Sequence, residues 1–339
     1  MRAFLAWIGI LLLALPAHAG DITLRVSLEN PADHIQVQMV QRFAADAMAR
    51  SQGRLRLDVV SSATLFSDAE LPRALTQGRV DMGVVGIWLL DRFAPDLGVF
   101  FLPSLYGRDA EDSQSLAAGP LGDDINRQLE QRLRVKVLGP WIDLGFAHLF
   151  TAGQAIRHAS DLAGLTIRVA GSQANSLRLT TLGAQPVTLP WPDVRPALIQ
   201  GSVDGVLTTY ETVVRGRLWE AGIRYAYEDR EYFARYIPLI ASSTWQRLPP
   251  DLQDILASAW MAIVPEARSS ARRAQEDARA TLIANGITIT VPTQAERTAT
   301  RQQLIQRQND AIAAIGANPD WARQADIFLR GRDDRITPR

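Results

Sequence analysis

The chain of 339 residues contains no cysteine and a single lysine, Lys136. Without cysteine there is no disulfide, no thiolate nucleophile and no thiolate metal site. Histidine is almost as scarce. Only His18, His34, His148 and His158 occur, and no two stand four apart as a helical zinc site requires. Phosphate-binding glycine loops, the GxSxG nucleophile turn and HExxH are all missing. Charge of one sign is lacking too: 36 basic residues balance 36 acidic ones. That balance argues against a nucleic-acid partner. Adjacent acids such as Asp123 and Asp124 fall in polar helical stretches and read as a solvated face. No cofactor, metal or catalytic residue is therefore expected. Because nearly every basic residue is arginine, a lone Arg carries little weight by itself.

Long apolar runs are confined to the start. Arg2 precedes the apolar stretch Ala3 to Leu15, then come Pro16 and Ala17-His18-Ala19. A positive end, a short apolar centre and a small-x-small site read as a cleavable signal peptide over 1–19. The run falls short of the ~20 apolar residues that span a bilayer. A mature chain from about Gly20 would then work in the periplasm.

From Ile22 onward, strand and helix patterns alternate. Ile22 to Leu28, Arg54 to Val60 and Val80 to Val85 read as strands. Between them lie a helix with Val37, Val40, Phe43, Ala44 and Ala47 on its apolar face, capped by Asp33, and a helix from Asp68 to Gln77. A second series runs through strand Leu165 to Val169, helix Ala174 to Leu182, strand Gln185 to Leu189, helix Pro192 to Gln200 and strand Val203 to Leu207. Tyr236 to Ala241 reads as one more strand. Such series favour parallel strands with helices on both faces. From Pro249 a long helical pattern runs to Ala284, and Pro265 should kink it. The strand Ile287 to Val291 and a polar helical region from Ala295 to Ile315 close the chain.

Three segments in order carry a resemblance. They are Gly164-Leu-Thr-Ile-Arg-Val-Ala-Gly-Ser172, Leu182-Gly-Ala-Gln-Pro-Val-Thr-Leu-Pro-Trp191 and Gln200-Gly-Ser-Val-Asp-Gly205. Together they resemble the core signature of the solute-binding proteins of TRAP (tripartite ATP-independent periplasmic) transporters, of DctP type. His34, Gly53-Arg54-Leu55, Asp68-Ala-Glu70, Gln77 to Met82 and Leu102-Pro103 agree with it in the first half. The resemblance implies a two-domain α/β fold of the periplasmic-binding-protein kind, with mixed sheets, helices on both faces and a long hinge helix. The domains would comprise 20–143 plus 235–264 and 144–234 plus 265–339. A monomer closing on a small organic acid, and passing it to a small and a large membrane subunit, is the implied function. The alternatives are an envelope sensor for a signalling receptor, or an enzyme acting on organic acids.

The resemblance also points to individual residues. Arg168, between Ile167 and Val169 on a strand, falls where the family grips a ligand carboxylate, and a guanidinium offers two parallel donors for two oxygens. Trp191 stands where an aromatic wall is usual, or else packs the helix after it. Thr208 occupies a position often held by Asn, so Thr209 or Tyr210 is a candidate for the same duty. His148 lies where a second Arg is common; it is either a replacement donor or a structural histidine. A site with one Arg suits a monocarboxylate, or a 2-oxo or hydroxy acid, better than a compact dicarboxylate. His34, Glu70 and Trp88 should face the cleft from the first domain, although Glu70 also suits a helix cap and Trp88 a core.

Overall fold

The computed structural model describes residues 21–336; the signal-peptide reading lies outside them. Ten strands form one continuous mixed sheet that is pinched into two lobes. The strands are β1 (Ile22–Ser27), β2 (Leu55–Val60), β3 (Met82–Gly86), β4 (Val135–Val137), β5 (Ile142–Thr151), β6 (Thr166–Val169), β7 (Gln185–Thr188), β8 (Gly205–Thr208), β9 (Tyr225–Ala241) and β10 (Thr288–Thr290). β1 pairs in parallel with β2 and β3, as β6 does with β7 and β8. These are the two α/β series of the sequence. β9 supplies the antiparallel component and joins them. Its last residues pair with β3 and β4, its first with β5 and β10.

The expected strand Tyr236 to Ala241 is thus only the end of a 17-residue strand. Its first half is masked in the sequence by the charged run Glu228-Asp-Arg-Glu231. There the register with β5 slips: Ala147 faces Tyr232 and Leu149 faces Tyr227, so four residues of β9 oppose His148 alone. Arg230 sits at φ 58° within this bulge. A left-handed conformation is costly for a side-chain-bearing residue. It is held by Arg230 N–H donating to His148 Nδ1 at 3.2 Å and by Gly107 N–H donating to Arg230 O at 2.9 Å.

The first helix, Ile35–Arg50, buries the expected face, with Val37, Val40, Phe43 and Ala47 inside. Its cap is His34 and not Asp33: Gln36 N–H donates to His34 Nδ1 at 3.1 Å. Phe43 meets Trp260 of the long helix edge-on at 5.2 Å. Each such aromatic buried contributes about 1.5–3 kcal/mol.

The long helix, Pro250–Ala284, runs continuously through Pro265. Leu252, Leu256 and Trp260 join the main core cluster, which holds Val40 and Phe43 of the first lobe and also reaches Ile167 and Leu179, whereas Ala278 and Leu282 join a separate cluster with Phe150, Val206 and Val213 of the second. One helix therefore serves both lobes. Gly145 on β5 lets it approach, because a Cβ there would lie 2.7 Å from the Gln275 side chain. Gln275 Nε2 in turn donates to Leu144 O at 2.9 Å. The polar tail resolves into three helices, Gln294–Ile305, Gln308–Ile315 and Pro319–Ile336. Among the described residues no helix is long and apolar enough to cross a membrane.

Candidate functional site

Between the lobes lies a small cavity of about 40 Å³. Arg168 enters it from β6. Its neighbours Ile167 and Val169 point into the core on the other face, as strand alternation requires. The guanidinium is only 3% exposed. Nε donates to Leu189 O at 2.9 Å, and the group lies 5.8 Å from the Trp191 ring. The two terminal nitrogens have no hydrogen-bond partner among the described residues. Burial lowers the pKa to about 10, with Glu29 acting against that shift. The group is therefore still cationic at neutral pH. A buried cation with a free fork is costly unless an anion answers it.

Trp191, Thr208 and Trp88 line the same cavity. Trp191 opens the helix Trp191–Ile199 and has a second contact, packing against the core of the second lobe. Trp191 thus touches both the cavity and the core. Thr208 ends β8. Trp88 is mostly buried and stands edge-on to Tyr236 at 5.3 Å. Gly171 brings the second lobe close here: a Cβ would meet the Trp88 carbonyl oxygen at 2.6 Å. Thr209 lines the cavity too, and it also caps the helix Tyr210–Arg215, its hydroxyl accepting from Thr212 N–H at 3.4 Å.

Four of the expected site residues do not line this cavity. Tyr210 and His148 face a larger space of about 450 Å³ behind the crossing strands. Tyr210 donates to Glu228 Oε2 at 2.8 Å, and its ring lies 4.9 Å from that of His148. Burial pushes the His148 pKa down to about 4, and Nδ1 accepts from Arg230 N–H at 3.2 Å. His34 is buried beside Glu211, with Nε2 2.8 Å from Oε2. Glu70 is on the surface and accepts from Ser67 Oγ at 2.7 Å, a local turn contact. Helix formation waits until Leu71.

The cavity has members that sequence reasoning did not select. Glu29, Asn30 and Asp68 come from the first lobe, Tyr232 and Tyr236 from β9. The two tyrosines stand four apart on one face of a strand, a signal obscured because that part of β9 did not read as a strand. Asp68 lies in the Asp68-Ala-Glu70 motif, where nothing local separates it from Glu70. Glu29 had no local mark.

Residues 26–314 match the family described as bacterial extracellular solute-binding protein, family 7 (DctP). The C4-dicarboxylate-binding periplasmic protein DctP of Rhodobacter capsulatus is 25% identical over 312 residues, covering 91% of either chain. A solute-binding protein of Albidiferax ferrireducens is 25% identical over 247 residues, 71% of this chain and 72% of its own. Among solved structures, the sugar acid binding protein DctPAm of Advenella mimigardefordensis, in complex with galactonate, superposes with a TM-score of 0.86. It is 20% identical and covers 92% of this chain and 99% of its own. With the two-lobed mixed sheet and the interlobe cavity, these matches make the chain a member of the bacterial extracellular solute-binding protein family 7, the TRAP-type solute receptors.

Proposed function

We propose that this protein is the periplasmic receptor of a TRAP transporter and that Arg168 holds the carboxylate of a small organic acid between the lobes. The observation that carries this reading is the Arg168 fork: buried, charged and unanswered inside an interlobe cavity. A relative named for C4-dicarboxylates, and a fold neighbour holding galactonate, support an acid as the ligand. The chain acts as a receptor and not as a catalyst. His34 and His148, the histidines nearest the cleft, are turned to structural partners. Lobes of 20–143 plus 235–264 and 144–234 plus 265–339 would part and close about β5, β9 and the long helix. Export by the N-terminal segment and release to paired membrane subunits complete the cycle.

The direct test is a thermal-shift screen of the mature protein against organic acids. A ligand bound only by the native state stabilises it as RT ln(1 + [L]/Kd), about 2.7 kcal/mol at a hundredfold excess over Kd. An acid that raises the melting temperature of the wild type but not of Arg168→Ala supports the reading. Equal shifts in both proteins would remove Arg168 from the site.

A further inference from the structure

The first lobe brings two acids, Glu29 and Asp68, to the cavity that Arg168 lines. Glu29 lies just beyond β1, and Asp68 precedes the helix Leu71–Thr76. Asp68 N–H donates to Glu29 Oε1 at 3.1 Å, which seats the two acids side by side. Asp68 is 2% exposed, and its Oδ1 has no hydrogen-bond partner among the described residues. Glu29 feels the charge of Arg168, yet no nitrogen of Arg168 forms an ion pair with either acid among the described residues. Asn30, the neighbouring amide, has its donors engaged: Nδ2 reaches Gln36 Oε1 at 2.7 Å and the Tyr236 hydroxyl at 3.0 Å. The cavity is therefore polarised. The second lobe contributes a guanidinium fork, the first lobe an acceptor without a hydrogen-bond partner among the described residues and two acids in contact.

We infer that the Glu29–Asp68 pair selects monocarboxylates bearing a hydrogen-bond donor, hydroxyl or ammonium, at the end remote from the carboxylate, and rejects dicarboxylates. The inference rests on the reading of Arg168 as the carboxylate clamp. A donor satisfies Asp68 Oδ1, whose unmade hydrogen bond otherwise costs free energy in a buried place. A second carboxylate would meet the charge of Glu29 while Arg168 is taken up by the first carboxylate, so its rejection is built from repulsion as well as from a missing contact. Burial and the charge of Glu29 raise the Asp68 pKa well above the usual carboxylate range, and burial raises Glu29 as well. Size restricts the choice further. At ~10–15 Å³ for a water, a cavity of about 40 Å³ has room for roughly three waters, so short acids fit the closed lobes.

The test is calorimetric titration of the mature protein with matched four-carbon acids: butyrate, 4-hydroxybutyrate, 4-aminobutyrate, D-erythronate and succinate. At least one donor-bearing acid should bind about 100-fold or more tightly than succinate, since like-charge juxtaposition is a strong discriminator. In Glu29→Gln/Asp68→Asn, succinate should gain and the ratio should fall below about tenfold. Three results would overturn the inference: succinate or butyrate binding the wild type as tightly as the best donor-bearing acid, no donor-bearing acid binding, or a folded double variant that keeps the full ratio. Should the double variant fail to fold, the wild-type ranking alone decides. Arg168→Ala separates the two readings. If it binds every acid as wild type does, the clamp itself is wrong. If it loses them all while the wild type prefers succinate, only the selectivity fails.

Discussion

His34 and Glu211 fasten the first helix of one lobe to the helix after β8 in the other. Gln36 N–H donates to His34 Nδ1, and Nε2 lies 2.8 Å from Glu211 Oε2. Glu211 Oε1 also accepts from Ile35 N–H and from Arg215 Nε, each at 3.0 Å. A carboxylate 1% exposed thus takes the N-terminus of a helix across the cleft, where the partial positive charge of the helix favours it. Next to it, Thr212 lines the ligand cavity and lies 3.4 Å from the same imidazole nitrogen. These contacts cross the cleft, so parting the lobes there would break them.

Glu211→Ala should therefore weaken binding of an identified acid through faster release. Breaking a buried charged pair costs about 2–5 kcal/mol, mostly in the dissociation rate. Small-angle scattering of the liganded variant should show a more open particle than wild type. Burial pushes the Glu211 carboxyl up, but His34, Arg215 and the Ile35 N–H together outweigh it and hold the group below the ordinary 4.5. Its contribution is complete above pH ~4.5 and is lost as pH falls through the lowered value. Unchanged release kinetics at pH 7 would exclude the pair from closure.

Arg168→Lys tests geometry apart from charge. Lysine keeps the cation and loses the planar fork. Affinity for the acid should fall by roughly 30-fold or more, at ~1.4 kcal/mol per tenfold. The melting temperature without ligand should not fall, because the buried guanidinium has one protein hydrogen bond, to Leu189 O. Retained affinity in the lysine variant would show that a point charge suffices.

Trp191 and Trp88 frame the cavity, so an acid entering it should change the intrinsic fluorescence. Trp191→Leu should remove much of that change and weaken binding by about 1–3 kcal/mol, the scale for burying a large apolar side chain. Because Trp191 also packs on the second core, the apo melting temperature should fall as well. A lowered melting temperature with wild-type affinity would leave Trp191 as a packing residue alone.

Sequence reading reached the two β-α-β series because they are local and strongly patterned. It also singled out Arg168, Trp191, Thr208 and Trp88, which line the interlobe cavity and lie at or beside strand ends with motif marks around them. It went astray where tertiary partners override local pattern. The charged stretch of β9 looks like a loop because Asp229 and Glu231 are buried against a distant Arg178, which sequence distance conceals. His148 lines the larger space with Tyr210 and Glu228, beside the bulge in β9, and that long-range pairing has no local mark. His34 has the right neighbourhood but its ring is spent on Glu211, a pairing 177 residues away in sequence.

The Asp229–Glu231 pair gives the last prediction. Both side chains are fully buried; Arg178 Nε is 2.6 Å from Glu231 Oε2, and Tyr106 donates to Asp229 Oδ2 at 3.2 Å. Two acids share one guanidinium. Burial, opposed by Arg178, raises each to about 7, and the two titrate as a unit. The folded state therefore holds more protons than the unfolded chain between pH ~4 and ~7. Stability from this pair is present at low pH, declines as pH rises through that window and stays lost above it. Asp229→Asn keeps an acceptor for Tyr106 and leaves Glu231 alone with Arg178. Its melting temperature should match wild type near pH 4 and exceed it at pH 8 by on the order of 2 °C or more, the shift for ~1 kcal/mol in a chain of this size. Calorimetric scans across pH 4 to 8 read the difference directly. A variant less stable than wild type at pH 8 would mean that the second charge is needed to hold Arg178.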